Sequence, residues 1–244
     1  MTRSFSLGTT LNEFIFSLLT ETNAAKLTEW KSIIDVLLTK GVDINAIVFF
    51  HQSALICAIT TVPSTGLEDS DAYDLEAKRN IVSARQCKIE IVEYLLHKGA
   101  NMEVIGNNGY TALCMALTNQ NVDVVETLVN HGANVNHLTN IKMSTAHVIC
   151  CEGDWSDEKD IETILLPSLR ILLNAGLNII IKGLNDSTVL HFASTKMNHI
   201  ICEFLVKSGA DLGATDYLQR TPLHMAVRNI HSMVIKTLIN IGAS

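Results

Sequence analysis

The sequence predicts an all-α solenoid of about six helix-turn-helix repeats, and three observations carry that prediction. The first is a ladder of glycines, Gly41, Gly99, Gly132, Gly176, Gly209 and Gly242, in which three of the five intervals are 33 residues. The other two intervals, 58 and 44, exceed 33 by 25 and 11, so a unit of constant length recurs with two insertions. The second observation is what precedes each glycine. Leu37, Leu95, Leu128, Leu172, Leu205 and Leu238 stand four places upstream, followed by Leu38, Leu96, Val129, Leu173, Val206 and Ile239. The third lies one turn earlier, in the pairs Ile33/Ile34, Ile91/Val92, Val124/Val125, Ser168/Leu169, Ile201/Cys202 and Val234/Ile235, where only Ser168 is polar. Apolar pairs at i, i+1, i+4 and i+5 make one stripe of a helix, and a glycine past it supplies the left-handed residue that stops the helix.

Residues 1–45 read as a divergent first unit, with a helix near Leu11–Leu19 and a second from about Trp30 to Lys40. It lacks the front motif of later units and is expected to be the N-terminal cap, since the end of a solenoid needs an outer face that tolerates water. The clearest unit runs from Gly106 to Asn136. Gly109-Tyr110-Thr111-Ala112-Leu113 precedes its first helix, Val122–Asn130 is its second, and Gly132-Ala133-Asn134-Val135-Asn136 is its turn. Thr188-Val189-Leu190-His191-Phe192-Ala193 and Thr221-Pro222-Leu223-His224-Met225-Ala226 repeat that grammar, each threonine lying 21 residues before its glycine. Threonine caps the first N–H groups of a helix, and Pro222 suits a first turn where no donor is needed. Ala58, Ala116, Ala193 and Ala226 share one register, where a small side chain lets helices approach. The chain stops two residues past the sixth glycine without an evident polar cap, and it is expected to be the N-terminal part of a longer protein.

A T-P-L-H-x-A motif, two short antiparallel helices and a G-A-D/N-x-N turn at a period of 33 residues resemble the ankyrin repeat. The resemblance covers nearly the whole chain and is weaker at Ser53-Ala54-Leu55-Ile56-Cys57-Ala58 and Ser144-Thr145-Ala146-His147-Val148-Ile149. It implies one ankyrin domain over 1–244, with hairpin fingers between repeats. Where the family has Gly-His between its helices, this chain has Gln120-Asn121, Asn198 and Ile230-His231. The insertions, residues 61–86 and 151–165, fall between the helices of the second and fourth units. Both are acidic. Glu68, Asp69, Asp71, Asp74 and Glu76 mark the first, which reads as a loop with room for one short helix; six acids surround Trp155 in the second. Both are expected as loops on one face, because an interruption inside the stack would uncover the core.

Composition bounds the function. With 48% hydrophobic and 18% charged residues there is ample material for a core. The net charge of −7, with no basic cluster beyond Lys78-Arg79, argues against nucleic acid. No apolar run approaches the roughly 20 residues of a membrane span. Cys57, Cys87, Cys114, Cys150, Cys151 and Cys202 are irregularly spaced and form no CxxC, so they read as buried thiols in a reducing compartment, cytoplasm or nucleus. His147, Cys150 and Cys151, at i, i+3 and i+4, share a helix face as metal ligands would, but no fourth ligand is evident. His147 also occupies the register of His191 and His224, where the resemblance implies a histidine that ties helix starts together. No catalytic motif is present, and neither an enzyme nor a cofactor is expected.

The stronger signal lies at the fingers, which carry Phe49 and Phe50, Tyr110, Ile141 and Met143, Leu184, then Tyr217 and Leu218 where a solvated tip favours polar residues. As a row they point to a binding groove, rimmed by Asn107, Asn108, Asn140, Asn185, Asp186, Gln219 and Arg220. Trp155 is either a further anchor for a partner or a cover for the base of its own insertion. The function expected is recognition of a partner protein through fingers and the concave first-helix face, without catalysis. The alternatives are a substrate-receptor or adaptor arm of a larger ubiquitin ligase or channel assembly, and a small-molecule sensor, for which Lys196 and Arg228 are the available cations on the first helices. The resemblance also implies that Asn45 or Asn136, each closing an Asp/Asn-x-Asn turn, serves as a substrate of an asparaginyl hydroxylase.

Overall fold

The computed structural model describes residues 11–15, 27–47, 52–60, 75–152, 155, 157–196 and 199–243, with the backbone alone described over 75–84. All six ladder glycines are left-handed, with φ between +85° and +109°. At Gly99 the requirement is direct. Its N–H donates to the Leu96 carbonyl and the Ala100 N–H to the Leu95 carbonyl, both at 3.0 Å, and this paired reversal needs a φ that strains any residue with a Cβ. The same pair of bonds closes the helices before Gly41, Gly176, Gly209 and Gly242. The next residue, Val42, Ala100, Ala133, Leu177 or Ala210, is buried, so packing pins each turn as well.

The chain divides into two compact halves, one reaching to Asn119 with Asn130–Ala133, the other comprising Gln120–Val129 and Asn134 onward. In the N-terminal half residues 11–15 are helical, followed by α1 (Leu27–Thr39), α2 (Ala54–Thr60), α3 (Leu75–His97) and α4 (Ala112–Thr118). First helix packs on first helix, α2 against α4, and second on second, α1 against α3. The C-terminal half contains α5 (Val122–Asn130), α6 (Thr145–Glu152), α7 (Leu166–Asn174), α8 (Val189–Thr195), α9 (His199–Lys207), α10 (Pro222–Arg228) and α11 (Ser232–Ile241). There α6, α8 and α10 stack in one layer, and α9 stacks on α11 in the other. No strand forms among the described residues; an isolated antiparallel bridge joins Leu138 to Ser144.

The stripe leucines make the core. Leu95, Leu128, Leu172, Leu205 and Leu238 are fully buried, and truncating one to alanine costs about 2–5 kcal/mol. Ala58, Ala116, Ala193 and Ala226 are equally buried, as their register requires.

The insertions depart from expectation. Residues 61–74 lie outside the described residues, but from Leu75 the first insertion is helix, continuous with the second helix of its repeat. Nothing between Leu75 and His97 breaks a helix, and once tertiary packing holds one end, each further residue adds a hydrogen bond without a new nucleus. Near its base Lys88 crosses to donate to the Ile59 carbonyl at the end of α2 (2.9 Å), and burial pushes its ammonium down to about 8. In the second insertion Asp157 caps a helical turn, Glu158–Asp160, by accepting the Lys159 N–H (2.8 Å). A π-helical turn, Ile161–Leu165, joins that turn to α7 just ahead of Pro167, which has no N–H to give. Ile161 and Leu165 are buried, so this part of the insertion is core helix rather than loop. Trp155 folds back: its ring is buried and its Nε1 donates to the Ile149 carbonyl (2.8 Å).

Candidate recognition surface on the hairpins

Each hairpin is built by the same local steps. After the left-handed glycine, a short polar side chain at Asp43, Asn101, Asn134, Asn178 or Asp211 accepts the N–H two residues on, at 2.8–3.1 Å, which starts the chain outward. A bond from N–H to the carbonyl four residues later then closes the tip: Gly106 to Tyr110, Thr139 to Met143, Gly183 to Ser187 and Asp216 to Arg220, at 2.8–3.0 Å. Inside the tips Asn108, Lys142, Asn185, Asp186 and Gln219 take positive φ near +60°, a region asparagine tolerates best.

The histidines bind these tips to the stack. His147 accepts the Ser144 N–H at Nδ1 (3.3 Å), so its neutral tautomer carries hydrogen on Nε2 and donates it to the Ser187 carbonyl (3.1 Å). His191 repeats this with Thr188 (3.1 Å) and the Arg220 carbonyl (2.9 Å). Burial holds both below the ordinary imidazole range. With both ring nitrogens engaged, His147 offers no free ligand atom beside Cys150 and Cys151, and burial pushes the Cys151 thiol up to about 12. Glycine is required at Gly183 for room: a Cβ there would sit 2.9 Å from the Lys142 carbonyl oxygen and 3.1 Å from His147 Nε2.

The tip from Asp216 to Arg220 is also held by its own side chains. Asp216 is buried, its Oδ1 accepts the Leu218 and Arg220 N–H groups (2.9 Å each) and its Oδ2 accepts from Arg220 Nε (2.8 Å). Burial alone would raise its pKa, but the Arg220 guanidinium and these N–H groups prevail and hold it below the ordinary carboxylate range. The Tyr217 N–H donates to the Asn185 carbonyl (3.1 Å), which ties this tip to the one from Gly183 to Ser187.

A family model for ankyrin repeats (3 copies) matches residues 80–139 and 164–244, more than half of the chain. The chain belongs to the ankyrin-repeat family. Among proteins it is similar to are two ankyrin repeat proteins of Fowlpox virus (strain NVSL). FPV244 is 25% identical over 201 residues, covering 71% of this chain and 30% of that protein. FPV230 is 27% identical over 169 residues, covering 60% of this chain and 90% of that protein. The human transient receptor potential cation channel subfamily A member 1 is 23% identical over 184 residues, 63% of this chain and 16% of the channel. The chain therefore spans under a third of two of these relatives. No helix of the described residues is long and apolar enough to cross a membrane.

Of the ankyrin finger residues singled out in the sequence, Ile141, Leu184, Tyr217 and Leu218 are exposed, Tyr217 at 55% and Leu218 at 53%. Tyr110, Met143 and Trp155 are not. Tyr110 is 8% exposed, and the reason is its place in the tip. Tyr110 and Met143 are the residues whose carbonyls close their tips, directly ahead of the helix caps Thr111 and Ser144, and there the side chain turns into the stack. The exposed residues occupy the first and second positions after the closing N–H. Phe49 and Phe50 lie outside the described residues. The polar rim is exposed as expected, except Arg220, which is half-buried against Asp216. Lys196 and Arg228 are exposed where α8 and α10 end. Sequence reasoning missed Ile180, 60% exposed, although it stands in the turn register of Asn45 and Asn136.

Proposed function

We propose that this ankyrin chain recognises a partner protein, without catalysis, through the hairpin tips of its C-terminal half and the adjoining first-helix face. The observation that carries the reading is the tip from Asp216 to Arg220, where Asp216 holds a closed loop and Tyr217 and Leu218 stand outside it. Large apolar side chains on pre-ordered backbone lose little freedom when they dock, and such residues supply the anchors of protein interfaces. Leu184 and Ile141 extend the surface, and Asn140, Asn185 and Gln219 form its rim. Phe49 and Phe50 join it by register alone. In Tyr217→Ala/Leu218→Ala we expect a melting temperature within about 2 °C of wild type. Affinity should fall at least tenfold, about 1.4 kcal/mol, for a partner captured by a photo-crosslinking side chain at position 217. Tyr110→Ala, cut from a buried site, serves as the opposite control and melts several degrees lower. Undiminished affinity in the double variant would place recognition elsewhere.

A second reading, an adaptor arm of a larger assembly, is favoured by the 30% and 16% coverage of two relatives. The mass of the protein isolated from its native source decides it: a value well above 26.8 kDa supports the arm, and 26.8 kDa discards it. Buried thiols at Cys57, Cys87, Cys114, Cys150 and Cys202 suit cytoplasm or nucleus, which imaging of a tagged protein checks.

We also propose Asn45 and Asn136 as asparaginyl hydroxylase substrates. Each amide is bonded to the following repeat, so one added oxygen should appear faster on a thermally loosened sample than on the native fold. Mass spectrometry without that oxygen on either peptide in either sample removes the assignment.

A further inference from the structure

We propose that the groove between the Gly176 and Gly209 turns is a docking site for the primary carboxamide of an asparagine side chain on a partner protein. Two turns of this chain display such a site filled by its own residue. Asn45 donates from Nδ2 to the Gly99 carbonyl (3.4 Å) and accepts the Asn101 N–H at Oδ1 (2.7 Å). Asn136 does the same with the Gly176 carbonyl (3.0 Å) and the Asn178 N–H (2.8 Å). In each, one amide edge spans a carbonyl and an N–H two residues apart on the left-handed turn of the following repeat. A primary carboxamide fits because its oxygen and one of its N–H groups lie on the same edge, whereas in a trans peptide they point opposite ways.

The same backbone pair recurs at Gly209 and Asp211, and there the clamp is missing. Ile180 holds the register of Asn45 and Asn136, and its side chain has no hydrogen-bonding group. Among the described residues, no hydrogen bond reaches the Gly209 carbonyl or the Asp211 N–H. The turn is nevertheless preformed. Gly209 has φ +98°, beside +90° and +89° at Gly99 and Gly176. Asp211 accepts the Gly213 N–H (2.8 Å), as Asn101 and Asn178 do for Glu103 and Ile180. Beside the pair lies a groove of about 510 Å³ lined by Ile180, Lys182, Thr188, Asp211, Gly213 and Thr215, room for a side chain and its flanking peptide. Lys182 joins its two walls by donating to the Thr215 carbonyl (2.8 Å). The chemistry is selective. A carboxylate would set lone pairs against the Gly209 carbonyl, an ammonium could not accept from Asp211, and an apolar group would leave both unpaired.

This inference goes beyond recognition by the tips, and it is tested without the tips' partner. The probe is a blocked tripeptide with asparagine at its centre, titrated against the isotope-labelled protein while the Asp211 amide resonance is followed. A saturable shift is expected, with at least tenfold weaker response to tripeptides centred on leucine or aspartate. Ile180→Asn, which supplies the clamp in cis, should raise the melting temperature by about 2–4 °C and silence the response. Ile180→Ala leaves the backbone pair open and keeps the response. Equal response to asparagine and leucine, no response at all, or a wild-type response in Ile180→Asn overturns the proposal. So does loss of response in Ile180→Ala, which also decides the matter should Ile180→Asn fail to fold.

Discussion

His147 and His191 use both ring nitrogens within the stack, and that makes them sensitive to protons. Protonation puts hydrogen on Nδ1, where each ring accepts the N–H of its helix cap. An unfolded histidine titrates near about 6.5, and burial sets the folded values lower. Between those values the unfolded chain binds more protons. The stabilisation is therefore complete above about pH 6.5 and is lost as pH falls through the folded values. The protein should melt at lower temperature at pH 5 than at pH 7.5, while His147→Gln/His191→Gln starts lower and changes less; equal slopes would remove the histidines from the account. The backbone roles of these residues and of the six glycines were legible in the sequence, because a 33-residue spacing repeats one conformation. Which tip residues face water was not legible from residue type. Tyr110 and Tyr217 are the same amino acid at different places in a four-residue closure. Distance to the helix cap was the usable signal: Tyr110 directly precedes Thr111, whereas Tyr217 stands four residues before Thr221.

At the scale of elements, the insertions show how composition misleads. Six acids around Trp155 read as a solvated loop, yet Ile161 and Leu165 stand at i and i+4 and lead into Leu169 and Leu172, one buried stripe. Glu158 and Glu162 occupy the exposed face of a helix extended beyond its repeat. Trp155 closes the other side by capping the Ile149 carbonyl, which offsets a polar group that burial would otherwise leave costly. Trp155→Ala should lose about 3–5 kcal/mol in urea unfolding, and removing residues 157–165 should lower cooperativity as well. A deletion variant that unfolds like wild type would return this segment to the status of a loop.

At the scale of the whole molecule, we propose that residues 1–244 unfold as one domain despite the two halves. The two tryptophans allow a clean test, since Trp30 is buried in the N-terminal half and Trp155 in the C-terminal half. In Trp30→Phe and Trp155→Phe, the remaining fluorophore should report midpoints within about 2 °C of each other once each variant's own shift is measured by circular dichroism. Separated midpoints would mean two cooperative units. The histidine bonds of the C-terminal half have one more consequence, which concerns inheritance. Each runs from a repeat to the carbonyl just ahead of the next repeat's first helix, Ser187 in one case and Arg220 in the other. Excising the residues between Gly176 and Gly209 would bring His147 to the Arg220 carbonyl, a joint of the kind already present. Unequal crossing-over in steps of one repeat can thus lengthen or shorten the row of fingers without inventing a new seam, and a lineage can vary its binding surface while its backbone grammar stays fixed.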